Sequence, residues 1–184
     1  MKFLLMAFVF SFFGTQNMSE MPVSLEVQYP LLLKIITFDR NHDSRLANNL
    51  MIGIVYQGNY RTSKLSKEEL TDIIEKKDLN VEGKKVSYTA LDVSVITDLT
   101  KQIKSNDIDV LFILPLRMRI DGIISESRKN RVMTFSGVPK YIEDGASVGI
   151  DIKGDKPLIV INLNSAKAEG VDFNSQLLKL AKIL

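Results

Sequence analysis

The 184-residue chain contains no cysteine. Disulfides, a thiolate nucleophile and a zinc–thiolate site are therefore excluded. Histidine is almost absent as well, since His42 stands alone. It lies in a polar stretch, Arg40–Asn49, beside Asp39, Asp43, Arg40 and Arg45. A histidine between two carboxylates can ligate a metal or move a proton. Two neighbouring arginines would repel a cation and no second histidine exists, so the stretch reads as a solvated loop and no metal is assigned. An excess of charge of one sign is also missing. Twenty-four basic residues against 22 acidic ones leave a formal charge of +2, which argues against a nucleic-acid groove or a polybasic membrane patch. Catalytic signatures are lacking too: there is no GxSxG elbow, no GxGxxG, no P-loop and no HExxH. The adjacent acids Glu68-Glu69 and Glu143-Asp144, and the lysine pairs Lys76-Lys77 and Lys84-Lys85, read as caps and solvated surface. No catalytic residue and no cofactor is expected.

What is present belongs to a folded chain, with 45% hydrophobic and 25% charged residues. One apolar run stands apart. Phe3–Phe13 follows Met1-Lys2 and has the length of a signal-peptide core, well short of the roughly 20 residues that cross a bilayer. Residues 1–18 are expected to be a leader cut somewhere near residues 14–20. Residues 19–184 are expected to form one exported, periplasmic domain without later membrane insertion. No cysteine follows the run, which excludes a lipid-modified terminus.

Taken in order, Ser24–Asp39 places Leu25, Tyr29, Leu32, Leu33 and Ile36 on one helical face. Pro30 suggests that the regular helix begins near Tyr29. Leu50–Tyr56 reads as a buried strand, broken by Gln57-Gly58-Asn59. Ser66 with Glu69 has capping-box spacing before a helix carrying Leu70, Ile73 and Ile74. Val86–Leu91 is a strand, and Ile96, Leu99 and Ile103 mark a helix. Asp109–Leu114 is the most apolar strand, Ile120, Ile123 and Ile124 lie on a helix, and Val132–Phe135 is a strand. This alternation predicts an α/β fold in three layers, Rossmann-like, with a mostly parallel sheet covered on both faces. Ala146–Lys153 and Pro157–Leu163, joined at Gly154-Asp155, predict a C-terminal antiparallel hairpin. A closing helix capped by Asp172 or Asn174 would carry Phe173, Leu177, Leu178, Ala181 and Leu184 on one face.

In such a sheet, ligands bind beyond the C-terminal strand ends. Tyr56, Asn59, Arg117, Arg119 and Ser136 fall there and are the candidate ligand-binding residues, with Arg117 as charged anchor. The same positions also need turn residues, which Gly, Asn, Pro and Ser supply. Two strongly apolar helices make Leu32, Leu33, Ile36, Leu177 and Leu178 candidate interface residues; the alternative is that both helices simply cover the sheet.

Gly145, Gly149, Ile161-Asn162-Leu163, Ala166, Gly170 and Ser175 through Ala181 occur in an order that resembles the C-terminal signature of the YfiR-like family of small bacterial periplasmic proteins. The family's first helix usually ends near an aromatic–Pro pair, where this chain has Phe38-Asp39. The resemblance implies a Rossmann-like fold, a tendency to dimerise, and a non-catalytic regulator that holds an inner-membrane diguanylate cyclase or similar signalling protein inactive. Cysteine-based redox control, linked to some members, has no counterpart in a chain without cysteine. The alternating lobe is also similar to half of a periplasmic solute-binding protein serving a transporter.

Overall fold

The computed structural model describes residues 20–46 and 49–184, and the expected leader lies outside them. The described residues form eight strands: β1 (Asn49–Tyr56), β2 (Asn80–Val81), β3 (Lys84–Asp92), β4 (Val110–Ile113), β5 (Met133–Ser136), β6 (Val148–Lys153), β7 (Lys156–Ile161) and β8 (Lys182–Ile183). The helices are α1 (Leu25–Ile36), α2 (His42–Arg45), α3 (Arg61–Lys77), α4 (Leu99–Ser105), α5 (Asp121–Asn130), α6 (Pro139–Glu143), α7 (Leu163–Ala168) and α8 (Ser175–Leu180). The strands form one sheet in the order β2-β3-β1-β4-β5-β6-β7-β8. From β3 through β6 all neighbours are parallel. β2 pairs antiparallel to β3, and β7 antiparallel to β6. The architecture is thus α/β, a mostly parallel sheet with a C-terminal antiparallel hairpin, flanked by helices.

Apolar alternation explains why both faces are covered. Leu50, Ile52 and Ile54 of β1 share one core with Phe112, Phe135, Ile150 and the inner faces of α1 and α3. Val55, Leu111 and Ile113 point the other way, to Ile103 of α4, Ile123 and Ile124 of α5, and Tyr141 of α6. Every residue of β4 is buried, as expected of a central parallel strand. Phe112 and Phe135 meet edge to face with centroids 4.8 Å apart, an arrangement that contributes about 0.5–1.5 kcal/mol beyond area burial. At Gly149 the sheet has no room for a side chain: a Cβ there would lie 2.6 Å from the Ser136 carbonyl oxygen and would collide with the Ile142 side chain.

Several local expectations are corrected. α1 begins at Leu25, with Pro30 inside it. The lost N–H would have reached the carbonyl of Glu26, an exposed residue that water can satisfy. α3 starts at Arg61, and Ser66 is buried within it rather than capping it. The chain turns earlier because the Ser63 hydroxyl accepts the Gln57 amide (2.8 Å) and the Tyr60 amide reaches the Gln57 carbonyl (3.0 Å).

The last helix is capped by Asn174, whose Oδ1 accepts the Gln176 and Leu177 amides. It does not continue to the end of the chain. Ala181 is extended, and Lys182–Ile183 pairs parallel to β7, which would otherwise be a bare edge. Leu184 consequently leaves the expected stripe and is exposed. Leu32, Leu33, Ile36 and Leu177 are all buried in the sheet-covering core, and Leu178 packs partly against it. For the four buried residues the interface assignment is corrected, since they cover the sheet of their own chain; Leu178 stays half-exposed.

Candidate functional site at the C-terminal strand ends

β1 lies between β3 and β4, so the chain leaves β1 toward one side and returns on the other. The loops that follow β1 and β4 therefore leave the sheet at its switch point, the usual ligand position in this class of sheet. The β1–α3 loop is held by Asp92 at the end of β3. Its Oδ1 accepts the Gly58 amide (2.8 Å), the Ser94 amide (2.9 Å) and the Ser94 hydroxyl (2.5 Å). Burial alone would raise the Asp92 carboxyl, but these donors outweigh it and hold the pKa below its ordinary value. The approach is close, and a Cβ at 58 would displace the Asp92 carboxylate.

The β4–α5 loop is tied to the β1–α3 loop. The Arg117 amide donates to Gln57 Oε1 (2.9 Å), and Gln57 Nε2 donates to Asn59 Oδ1 (2.8 Å). The Arg117 guanidinium lies 4.5 Å from the centre of the Tyr60 ring, and the Tyr60 hydroxyl donates to Glu20. Below, the Tyr141 hydroxyl accepts the Leu116 amide (2.8 Å) and donates to the Leu116 carbonyl (3.1 Å). Burial raises its pKa, so it stays a neutral donor at physiological pH. Arg117, Arg119, Asp121, Tyr141 and Asp144 line a hollow of about 330 Å³.

Of the five expected ligand-binding residues, two share this hollow. Arg117 and Arg119 are both exposed, although Arg119 is already paired with Asp121 at 2.7 Å. Asn59 is linked to Arg117 only through Gln57. Tyr56 turns to the α3 side, where Lys67 Nζ sits 5.7 Å from its ring centre. Ser136 is wholly buried, donating to the Ile113 carbonyl (2.7 Å) and accepting the Val138 amide (3.1 Å). It holds the turn and is removed from the candidate set. Sequence reading missed Tyr60, Tyr141 and Asp144. Tyr60 directly follows the Gly58-Asn59 break, which is the one local signal for it; nothing in the sequence places Tyr141 beneath Leu116.

A larger cleft, about 860 Å³, opens at the opposite end of the sheet, where Arg45, Lys104, Asp109, Lys129 and Arg131 gather. Arg45 anchors it, donating to the Glu169 carbonyl (2.9 Å) and the Asp109 carbonyl (3.3 Å). Burial pushes the Asp109 carboxyl up to about 6, although the Met51 amide and Arg45 pull against it.

The strand order defines a doubly wound α/β protein, and polar loops stand at its strand ends. Residues 26–182 match the model of the YfiR/HmsC-like family, and the chain belongs to that family. No curated protein matches it. Similar solved structures include a ligand-free, open substrate-binding protein with adhesive properties from Clostridium difficile, at 18% identity and TM-score 0.58, covering 88% of this chain and 60% of that one. A conserved domain protein from Vibrio cholerae matches at 18% identity and TM-score 0.57, covering 86% and 59%. The ABC domain from Streptococcus pneumonia, solved with L-Trp, matches at 18% and 0.54, covering 87% and 60%. These likenesses concern the fold, and the chain spans about 60% of the length of those proteins.

Proposed function

We propose that this protein is an exported, non-catalytic regulator that binds a membrane-bound signalling protein, of the diguanylate cyclase or sensor kinase type, and represses it. The observation that carries this reading is the family match across residues 26–182. The strand-end loops suit such a role: Arg117 and Arg119 are exposed polar anchors on a frame held by Asp92, Gln57 and Tyr141. Repression requires binding that differs between the partner's two states. Driving a partner from almost wholly active to almost wholly inactive takes about a 10⁴-fold preference. The working unit in this reading is a homodimer in the periplasm. Co-purification of the tagged protein from gently solubilised native membranes, followed by mass spectrometry, tests it. A reproducible cyclase or sensor kinase is the expected companion, and recovery of the protein alone would overturn the reading.

A second reading is favoured by one observation, the 330 Å³ hollow between the β4–α5 loop and α6, at the C-terminal strand ends of a fold shared with a substrate-binding protein. In that reading the chain binds a small polar solute for a transporter. A permease would then be the companion, and Arg117→Ala would abolish ligand-induced stabilisation while leaving the unliganded stability within about 0.5 kcal/mol.

A further inference from the structure

His42, alone of its kind in the chain, is not flanked by the two arginines of its own segment. Arg40 pairs with Asp172 at 3.1 Å, and Arg45 turns to the Glu169 and Asp109 carbonyls. The imidazole instead meets Glu82, delivered from the β2–β3 turn. Nε2 lies 2.8 Å from Glu82 Oε2 and 3.5 Å from Asp43 Oδ1. On the other side of the ring, Nδ1 is 2.7 Å from the Asp39 carbonyl oxygen. A carbonyl only accepts, so Nδ1 carries the hydrogen. In the neutral ring the Nε2 lone pair then points at two carboxylate oxygens, three acceptors converging with no donor among them. A proton on Nε2 is directed along one line and serves Glu82 alone. A cation serves all three.

We propose that His42, Asp43 and Glu82 bind a divalent transition-metal ion of the zinc class, with water completing the coordination. The three ligand atoms lie within 4.8 Å of one another. Around a tetrahedral ion with bonds of about 2.0 Å the ligand atoms stand roughly 3.3 Å apart, a separation the present spacings bracket. The imidazole is the more enclosed member, with its side chain only 17% exposed, while Asp43 and Glu82 are solvent-facing. A backbone carbonyl on Nδ1–H is the usual outer partner that sets the tautomer of a metal-binding histidine. Among the described residues Lys84 opposes the site: its Nζ is 3.6 Å from Asp43 Oδ1, but it also donates to the Leu46 carbonyl at 2.7 Å. The site would tie the segment after α1 to the β2–β3 turn, independently of the regulatory reading.

The test is calorimetric titration of tag-free protein with ZnCl₂ near neutral pH, with ¹⁵N NMR of the single imidazole. Expected are one zinc per chain, a metal-bound Nε2 signal, and binding weakened at least about tenfold in His42→Gln and Glu82→Gln. Should His42→Gln fail to fold by circular dichroism, Glu82→Gln, a change at a half-exposed turn side chain, carries the comparison. Absence of saturable binding, uptake that Glu82→Gln leaves unchanged, or an imidazole that stays doubly protonated with zinc present would each overturn the site in favour of a plain ion pair.

Discussion

Glu169 is wholly buried, yet it bears a carboxylate. Its Oε2 accepts the Thr134 amide (2.8 Å), and its Oε1 accepts the hydroxyls of Thr134 (2.8 Å) and Ser127 (3.0 Å). It therefore clamps β5 to α5 and to the end of α7. Replacing it with alanine removes one buried methylene, about 0.8 kcal/mol, and leaves a carboxylate-sized cavity that costs about 1 kcal/mol. It also strips the Thr134 amide of its better acceptor, leaving only the Ser147 hydroxyl at 3.2 Å, at a cost of about 1–3 kcal/mol. The two hydroxyls are less affected, because Ser127 still reaches the Ile124 carbonyl (2.8 Å) and Thr134 has Ser147 beside it. Loss of the buried carboxyl group returns part of its desolvation penalty. The expected net destabilisation of Glu169→Ala is about 2–4 kcal/mol. Glu169→Gln keeps an oxygen for the Thr134 amide and can donate to the rotatable hydroxyls, so its cost should stay within about 1 kcal/mol. Burial raises the Glu169 pKa above its ordinary value. Ionisation therefore opposes folding, and Glu169→Gln should compare best with the parent at higher pH. Urea unfolding followed by circular dichroism measures all three proteins. An alanine variant that loses under about 1 kcal/mol with an unchanged slope, or a glutamine variant as damaging as alanine, would refute the clamp.

Leu177→Asp buries a charge with no partner at a site 1% exposed and should unfold the domain, whereas Leu178→Asp, partly exposed, should cost about 1–2 kcal/mol; thermal melts of both variants separate the two faces of α8. Gly149→Ala must push against the Ser136 backbone and should cost at least about 2 kcal/mol, while Gly122→Ala, with nothing within 4 Å in α5, should stabilise by about 0.5–1 kcal/mol; chemical denaturation of the pair checks the contrast. Asp109 titrates near 6 in the fold, above its ordinary 3.8, so its ionisation lowers stability as pH rises between those values. The full linkage is about 3 kcal/mol, reduced by its partial exposure to about 1. Asp109→Asn should gain that amount at neutral pH and nothing near pH 4, and a gain that does not vary with pH would contradict the cause.

Much of the fold was legible in the sequence because it is set by local period. Leu50–Tyr56, Asp109–Leu114 and Val132–Phe135 are short, apolar and bounded by turns, and the intervening stripes recur at helical spacing. Those patterns determined an α/β sheet covered on both faces, and the Gly154 hairpin followed from its alternation. The ordered C-terminal motif residues also pointed to the family. What the sequence could not determine depends on groups far apart in the chain. Ala181 and Leu184 continue the apolar spacing of the last helix, so nothing local rejects a helix running to the end. The free edge of β7, which takes Lys182–Ile183 as a partner, decided it.

Burial of Ser136 and Glu169 and the meeting of Tyr60 with Arg117 likewise come from contacts between segments distant in sequence. His42 shows the same limit. Its sequence neighbours include two arginines, and only the folded chain turns both away and brings Glu82, forty residues on, to its Nε2. Periodicity along a chain encodes which face of an element is buried, so the sequence determined the layers. It carries no record of which loops meet across the sheet, and that was decided by tertiary packing, where the polar sites are assembled.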